Sequence, residues 1–154
     1  VSLEEVEALA GGGVVARPHF AQVMLRRGYV TSLREAFDRY LDSDEYQRIE
    51  HWKAGAAECI AAVHSAGGRA VLAHPYQLGY ADDRLEETLR TLREKGLDGL
   101  ECFYPRHTPG QTAAYLRLAE KYGLHITAGS DFHGEAVRPD TRLTPISLEL
   151  GWLI

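Results

Sequence analysis

A chain of 154 residues with 45% hydrophobic and 25% charged residues is sized and composed for one soluble globular domain with a real core. Its formal net charge of −5 excludes broad, sequence-independent nucleic-acid binding and any stable hold on duplex nucleic acid, although a local basic site could still hold a phosphate. No apolar run approaches the ~18 residues of a membrane span, no signal-peptide pattern opens the chain, and Cys59 and Cys102 make no disulfide framework, which points to a reducing cytoplasm.

In chain order, Ser2 and Glu5 form a capping box ahead of apolar Leu3, Val6 and Leu9, and Gly11-Gly12-Gly13 stops this first short helix. A second helix is predicted from Phe20 to Arg27, with Pro18 in or just before its first turn and Gly28 at its end. Ser32 and Glu35 predict another capping box, followed by Leu33, Ala36, Phe37, Tyr40 and Leu41 at helical spacing. Asp42 to Arg48 reads as a surface connection. From about Ala56 the rhythm changes: a helix to Ala66, a short strand Ala70–Ala73 ending at His74-Pro75, and a helix from Asp82 to Lys95 with Leu85, Leu89 and Leu92 on one face. A strand around Gly99–Phe103 follows, then a helix capped by Thr108 with Pro109 in its first turn, running to Tyr122, and a strand Leu124–Thr127. Strand, helix, strand, helix, strand at this spacing predicts βαβ units with parallel strands.

Chemistry in such folds gathers at the C-terminal strand ends. His74 ends the first strand, Glu101, Arg106 and His107 lie at or beyond the end of the second, and Asp131 and His133 follow the third. An aspartate and a histidine two residues apart, bracketed by Gly129 and Gly134, offer hard oxygen and borderline nitrogen to one metal cluster. Blander readings stand beside these: His74 before a proline can simply end a strand, and Arg17 and His19 can be an ordinary helix start. Glu101 can be a structural carboxylate bonded to neighbouring loops, and His107 an exposed loop residue. His51, His64 and His125 read as structural or solvent-facing, Cys59 and Cys102 as buried apolar thiols, and Trp52 and Trp152 as packing residues.

Gly129-Ser130-Asp131-Phe132-His133-Gly134, Ala73-His74-Pro75, and Ala16-Arg17-Pro18-His19-Phe20 followed by Glu35-Ala36-Phe37-Asp38-Arg39-Tyr40-Leu41 together resemble the PHP (polymerase and histidinol phosphatase) superfamily. The resemblance runs from about Gly12 to Leu143 and is strongest to small phosphoesterases that include the 3′,5′-nucleoside bisphosphate phosphatases. It implies an α/β fold, the C-terminal part of a single distorted (β/α)7 barrel with a helical insertion at about 14–52, and a metal-dependent phosphoesterase acting on phosphate monoesters. The phosphorylated substrate is a small molecule or a nucleotide such as a 3′,5′-bisphosphonucleotide. It also implies two or three divalent ions (manganese, zinc or iron), with His74, Asp131 and His133 as ligands, and Arg17, His19 and His107 toward substrate phosphate. The family opens with a His-x-His strand and further Asp, His and Glu ligands, and none has a counterpart here; position 1 is valine. The expectation is therefore that this chain alone is not a competent phosphatase, and that it self-associates or lacks an N-terminal segment. Rival readings are a non-catalytic PHP fragment, the PHP domain of a DNA polymerase, and a flavodoxin-like binding domain. The last demands a glycine-rich phosphate loop after the first strand, which Ala73-His74-Pro75-Tyr76 is not.

Overall fold

The computed structural model describes residues 1–50, 52–134, 141–142, 148 and 151–153; His51 therefore lies outside the described residues. The chain divides into two compact units, Val1–Trp52 and Lys53–Ile154.

The first unit is helical. In α1 (Leu3–Ala10) the Ser2 hydroxyl accepts from the Glu5 amide while the Glu5 carboxylate accepts from the Ser2 amide, so two orphan donors are satisfied reciprocally. Gly11 closes the helix in the left-handed conformation (φ 61°), where a side chain would be strained. Helix α2 (Arg17–Arg26) begins three residues earlier than the sequence predicts, with Pro18 inside its first turn. Its cap is unusual: the Ala16 amide donates to His19 Nδ1 at 3.0 Å. Helix α3 (Leu33–Ala36) is capped by Ser32, but the expected reciprocal bond is replaced. The Glu35 carboxylate instead accepts from the amide and hydroxyl of Thr31, each at 2.7 Å, and pairs with Arg39. The chain continues as a wider π-type turn, Phe37–Leu41, and the polar stretch after it forms a further capped turn, α4 (Asp44–Gln47), where the sequence predicts a plain connection. Ala21, Val30 and Ala36 are the buried centre of this unit, sealed by Met24, Leu33, Phe37 and Leu41.

The second unit is α/β. Helix α5 (Ala56–Ser65) leads to β1 (Val71–Leu72), α6 (Asp82–Glu94), β2 (Gly99–Phe103), α7 (Pro109–Tyr122) and β3 (His125–Ala128). The strands are parallel and lie in sequence order, β1-β2-β3, with Leu72 opposite Leu100 and Leu100 opposite Ile126. Leu85 and Leu89 of α6 and Tyr115 and Ala119 of α7 share one core with Leu100 and Cys102 of β2. Both crossover helices therefore cover the same sheet face, the arrangement of a barrel wall rather than of a doubly wound sheet. Strand side chains alternate, so Glu101 projects to the opposite face from Leu100 and Cys102. Fully buried Leu89 alone contributes about 1.5–3 kcal/mol through apolar burial.

Two sequence expectations are corrected here. Helix α5 buries only Ile60, leaving Cys59 exposed, so that thiol is not a core residue. Trp52 is 86% exposed and does not pack as a core side chain, whereas Trp152 stacks on His125 with ring centroids 4.2 Å apart. The N-terminal end of the sheet is tied by Asp98, whose Oδ2 accepts from the Ala70 amide and meets His64 Nε2, both at 2.7 Å. Burial alone would raise the Asp98 pKa, but His64, the Ala70 amide and Arg69 outweigh it and hold the carboxyl below its ordinary value.

Candidate active site

At the C-terminal strand ends, β2 is the central strand and its residues reach both neighbours. The buried Glu101 carboxylate accepts from the backbone amide of His74, which stands just past β1 in the left-handed region at φ 35°. Its other oxygen fills the space in which a Cβ at Gly129, just past β3, would have to sit. Glu101 is thus a brace between the two flanking strand ends, which is the structural alternative the sequence left open.

A register shift between Glu101 and Phe103 re-aims the end of β2. Phe103 lies opposite Ala128, and its carbonyl accepts from the Gly129 amide at 3.0 Å. Tyr104 then turns its hydroxyl to Asp131 and donates to Oδ2 at 3.0 Å. Asp131 is the second non-glycine residue with positive φ (55°) among the described residues. His133 Nδ1 stands 3.5 Å from Asp131 Oδ1 and 2.7 Å from the Asp131 carbonyl. The Tyr104 ring meets His74 edge-on at 6.1 Å between centroids, and Tyr76 and His107 at 5.4 and 5.2 Å. Tyr104, a residue the sequence reading passed over, therefore meets His74 and His107 through its ring and Asp131 through its hydroxyl, while His133 stands against Asp131. The only prior signal of Tyr104 was its position one residue beyond the central strand.

His107 is not the exposed loop histidine of the blander reading. Its ring is walled by Tyr76, Tyr104 and Tyr115, and Nδ1 faces the Cys102 carbonyl at 3.1 Å. A carbonyl can only accept, so Nδ1 carries the proton and Nε2 is the lone-pair nitrogen of the neutral ring. Nε2 is buried and has no hydrogen-bond partner among the described residues.

Electrostatics follow the same pattern. Burial, the Asp131 carboxylate and Tyr76 push the Tyr104 phenol above its ordinary pKa, so it remains a donor through neutral pH. Burial alone would raise Tyr76 as well, yet its hydrogen bonds with Arg106, Tyr104 and Gln77 bring it below its usual value. Cys102, buried beside the Glu101 charge, is pushed up to about 12 and is no nucleophile.

In the helical unit, the Arg17 guanidinium donates to the Leu41 carbonyl at 3.1 Å, pairs with the Asp42 carboxylate and lies over the rings of Phe37 and Tyr46. His19 is occupied at Nδ1 by its cap bond. Both have local structural work that accounts for their positions.

The donor types at the strand ends suit a divalent metal, and Asp131 with His133 forms a close oxygen–nitrogen pair. Among the described residues, however, no three His, Cys, Asp or Glu side chains group closely enough to hold an ion. The pair fits one side of a coordination shell, and the remaining donors have to come from elsewhere. No helix among the described residues is long and apolar enough to cross a membrane.

No family model matches the chain. It is 30% identical over 132 residues to the 5′-3′ exoribonuclease Rnm of Escherichia coli, covering 86% of this chain and 45% of that protein. To the 3′,5′-nucleoside bisphosphate phosphatase of Chromobacterium violaceum it is 28% identical over 120 residues, covering 78% of this chain and 42% of the relative. A crystal structure assigned as a metal-dependent phosphoesterase, from Bifidobacterium adolescentis, superimposes with a TM-score of 0.71 at 29% identity, covering 90% of this chain and 50% of that one. The chain thus spans less than half the length of these curated relatives. That share fits the C-terminal part of the barrel, and in sequence and fold together the chain resembles PHP-type phosphoesterases, the 3′,5′-nucleoside bisphosphate phosphatase among them.

Proposed function

We propose that this chain supplies part of the active site of a metal-dependent phosphoesterase that hydrolyses phosphate monoesters of nucleotides, 3′,5′-bisphosphonucleotides among them. The observation that carries the reading is the Asp131–His133 pair just past β3, with Asp131 bonded by Tyr104 and His74, just past β1, edge-on to the same ring. The names of the phosphatase and phosphoesterase relatives support it. His74, Asp131 and His133 are the proposed metal ligands, with further donors supplied from outside this set; manganese, zinc and iron all suit the donor types. A divalent ion, when bound, provides Lewis-acid polarisation of a phosphoryl oxygen. The part played by the chain's own residues is orientation: Glu101 fixes the backbone that carries His74, and Tyr104 fixes the Asp131 carboxylate.

Arg17, His19 and His107 are the proposed substrate-side residues. Arg17 would meet a phosphate by exchanging the Asp42 carboxylate for it, anion for anion, with the same guanidinium fork. His107, with its lone pair on Nε2, would accept from a substrate hydroxyl rather than meet a phosphate oxygen. A cytoplasmic setting is inferred from the free thiols Cys59 and Cys102. The match to an exoribonuclease favours a second reading, in which the scissile ester is the phosphodiester of a single-stranded RNA end. Metal analysis of the purified protein decides the common part: about one or more equivalents of Mn, Zn or Fe, lost in Asp131→Ala, is expected. Hydrolysis of a 3′,5′-bisphosphonucleotide against a 5′-phosphorylated oligoribonucleotide, with manganese supplied, separates the two substrates. Metal-free protein that gains none on titration would refute the proposal.

A further inference from the structure

We propose that Asp42 is a built-in competitor for the phosphate that Arg17 would take, so that this cation binds an anionic ester only by releasing its own carboxylate. This rests on the reading of Arg17 as a substrate-side residue and adds how that contact is regulated. All the residues involved belong to the helical unit. The Arg17 guanidinium donates to the Leu41 carbonyl at 3.1 Å and to the Asp42 carboxylate. Its carbon lies 5.6 Å from the centre of the Phe37 ring and 5.8 Å from that of Tyr46. Two local features of the sequence deliver these partners. The segment Phe37–Leu41 winds as a π-type turn, closed by the Asp42 amide donating to the Phe37 carbonyl at 2.8 Å. That turn takes in one residue more than an α-helical one, and it ends with the Leu41 carbonyl and the Asp42 side chain both on Arg17. The Ser43 hydroxyl then donates to the Tyr40 carbonyl at 3.0 Å and accepts from the Tyr46 amide at 3.2 Å, which fixes the turn that carries the Tyr46 ring.

The contacts differ in kind. The Leu41 carbonyl and the rings of Phe37 and Tyr46 are neutral, so they keep the guanidinium oriented when the carboxylate leaves. The carboxylate is an anionic acceptor of the same kind as a phosphate oxygen and competes for the same donors. Its hold is weak enough to be exchanged: the Arg17 and Asp42 side chains are 46% and 51% exposed, and water screens the pair. An exposed pair of this kind favours its closed form by about 1.5- to 5-fold. Only the open form binds, so the apparent affinity for phosphate is lowered by about 2- to 6-fold. Repulsion between the Asp42 carboxylate and an arriving anion acts in the same direction.

The test is titration of the chain with inorganic phosphate at constant ionic strength, followed by NMR at the Arg17 Nε–H and the Asp42 carboxyl carbon. In wild type both signals should move with one midpoint, because binding at Arg17 is release of Asp42. Asp42→Asn keeps the shape and loses the charge, and should tighten the dissociation constant by about 2- to 6-fold with the circular dichroism of the folded state retained. Arg17→Gln should abolish the response of the Asp42 carbon. If the Arg17 signal moves in wild type while the Asp42 carbon does not, phosphate adds beside an intact pair and the proposal falls, whether or not any variant folds. Equal or weaker binding by folded Asp42→Asn also overturns it, since the carboxylate then supports the guanidinium; Arg17 remains a substrate-side residue in both cases. If the Arg17 signal responds to phosphate in neither wild type nor Asp42→Asn, Arg17 leaves the substrate side and takes this inference with it, while the Asp131–His133 reading is untouched.

Discussion

Gly129→Ala is the sharpest test of how the strand ends are braced. Gly129 has no positive φ, so alanine carries no backbone penalty there, and the cost must come from space. The new Cβ would lie closer to Glu101 Oε1 than the 3.0 Å that such atoms tolerate. Carboxylate ends can usually swing away cheaply, but this one is buried and its other oxygen accepts from the His74 amide. Moving it costs either overpacking strain, about 1–3 kcal/mol, or the charge-assisted bond to His74, about 1.5–3 kcal/mol, but not both in full. A loss of about 1.5–3 kcal/mol is therefore expected in urea unfolding followed by circular dichroism. Glu101→Ala is expected to cost about 1–3 kcal/mol through the unsatisfied His74 amide. In that background the Gly129 Cβ meets no carboxylate, so adding Gly129→Ala should cost under about 0.5 kcal/mol. The double-mutant cycle would then show a coupling of about 1–3 kcal/mol. Additivity within about 0.3–0.5 kcal/mol would refute the brace.

Two further outcomes follow from the charges and thiols. Thr31 (amide, then hydroxyl) and Arg39 pull the Glu35 pKa from 4.5 to about 2, so the contribution of that carboxylate is fully present above pH 4.5 and is lost as pH falls from 4.5 through 2. Glu35→Gln should flatten the fall in unfolding midpoint across that window, and an unchanged profile would place the acid sensitivity elsewhere. Exposed Cys59 should alkylate rapidly with iodoacetamide at pH 8, while Cys102, buried and pushed up to about 12, should react only on unfolding. Equal rates, read by mass spectrometry of the folded protein, would contradict the burial described for β2.

Local signals were legible where one short stretch decides the outcome. Ser2 with Glu5, and Thr108, Pro109 and Gly123 around α7, are as their sequence requires. So are the three parallel strands and the polar groups at their ends. Cys59 was misread because periodicity reports which helix face is apolar and not whether anything covers it. Glu35 was half right: its cap partner Ser32 is local, but Thr31 and Arg39 compete for the same carboxylate. Tyr104 was invisible because its partner Asp131 is 27 residues away and meets it only through the register of β2 with β3, including the shift after Glu101.

Glu101 also bears on how the chain avoids folding into a near miss. In a parallel sheet a one-residue slip of the central strand exchanges its two faces. Such a slip of β2 would carry the Glu101 carboxylate into the layer now occupied by Leu85, Leu89 and Tyr115, away from the His74 amide that receives it, and would turn Leu100 to the opposite face. An apolar residue at position 101 would allow either alignment to bury a similar surface. A single carboxyl side chain on the otherwise apolar strand makes the wrong alignment expensive and the right one self-consistent, because the misaligned group loses the His74 amide and enters a largely apolar layer.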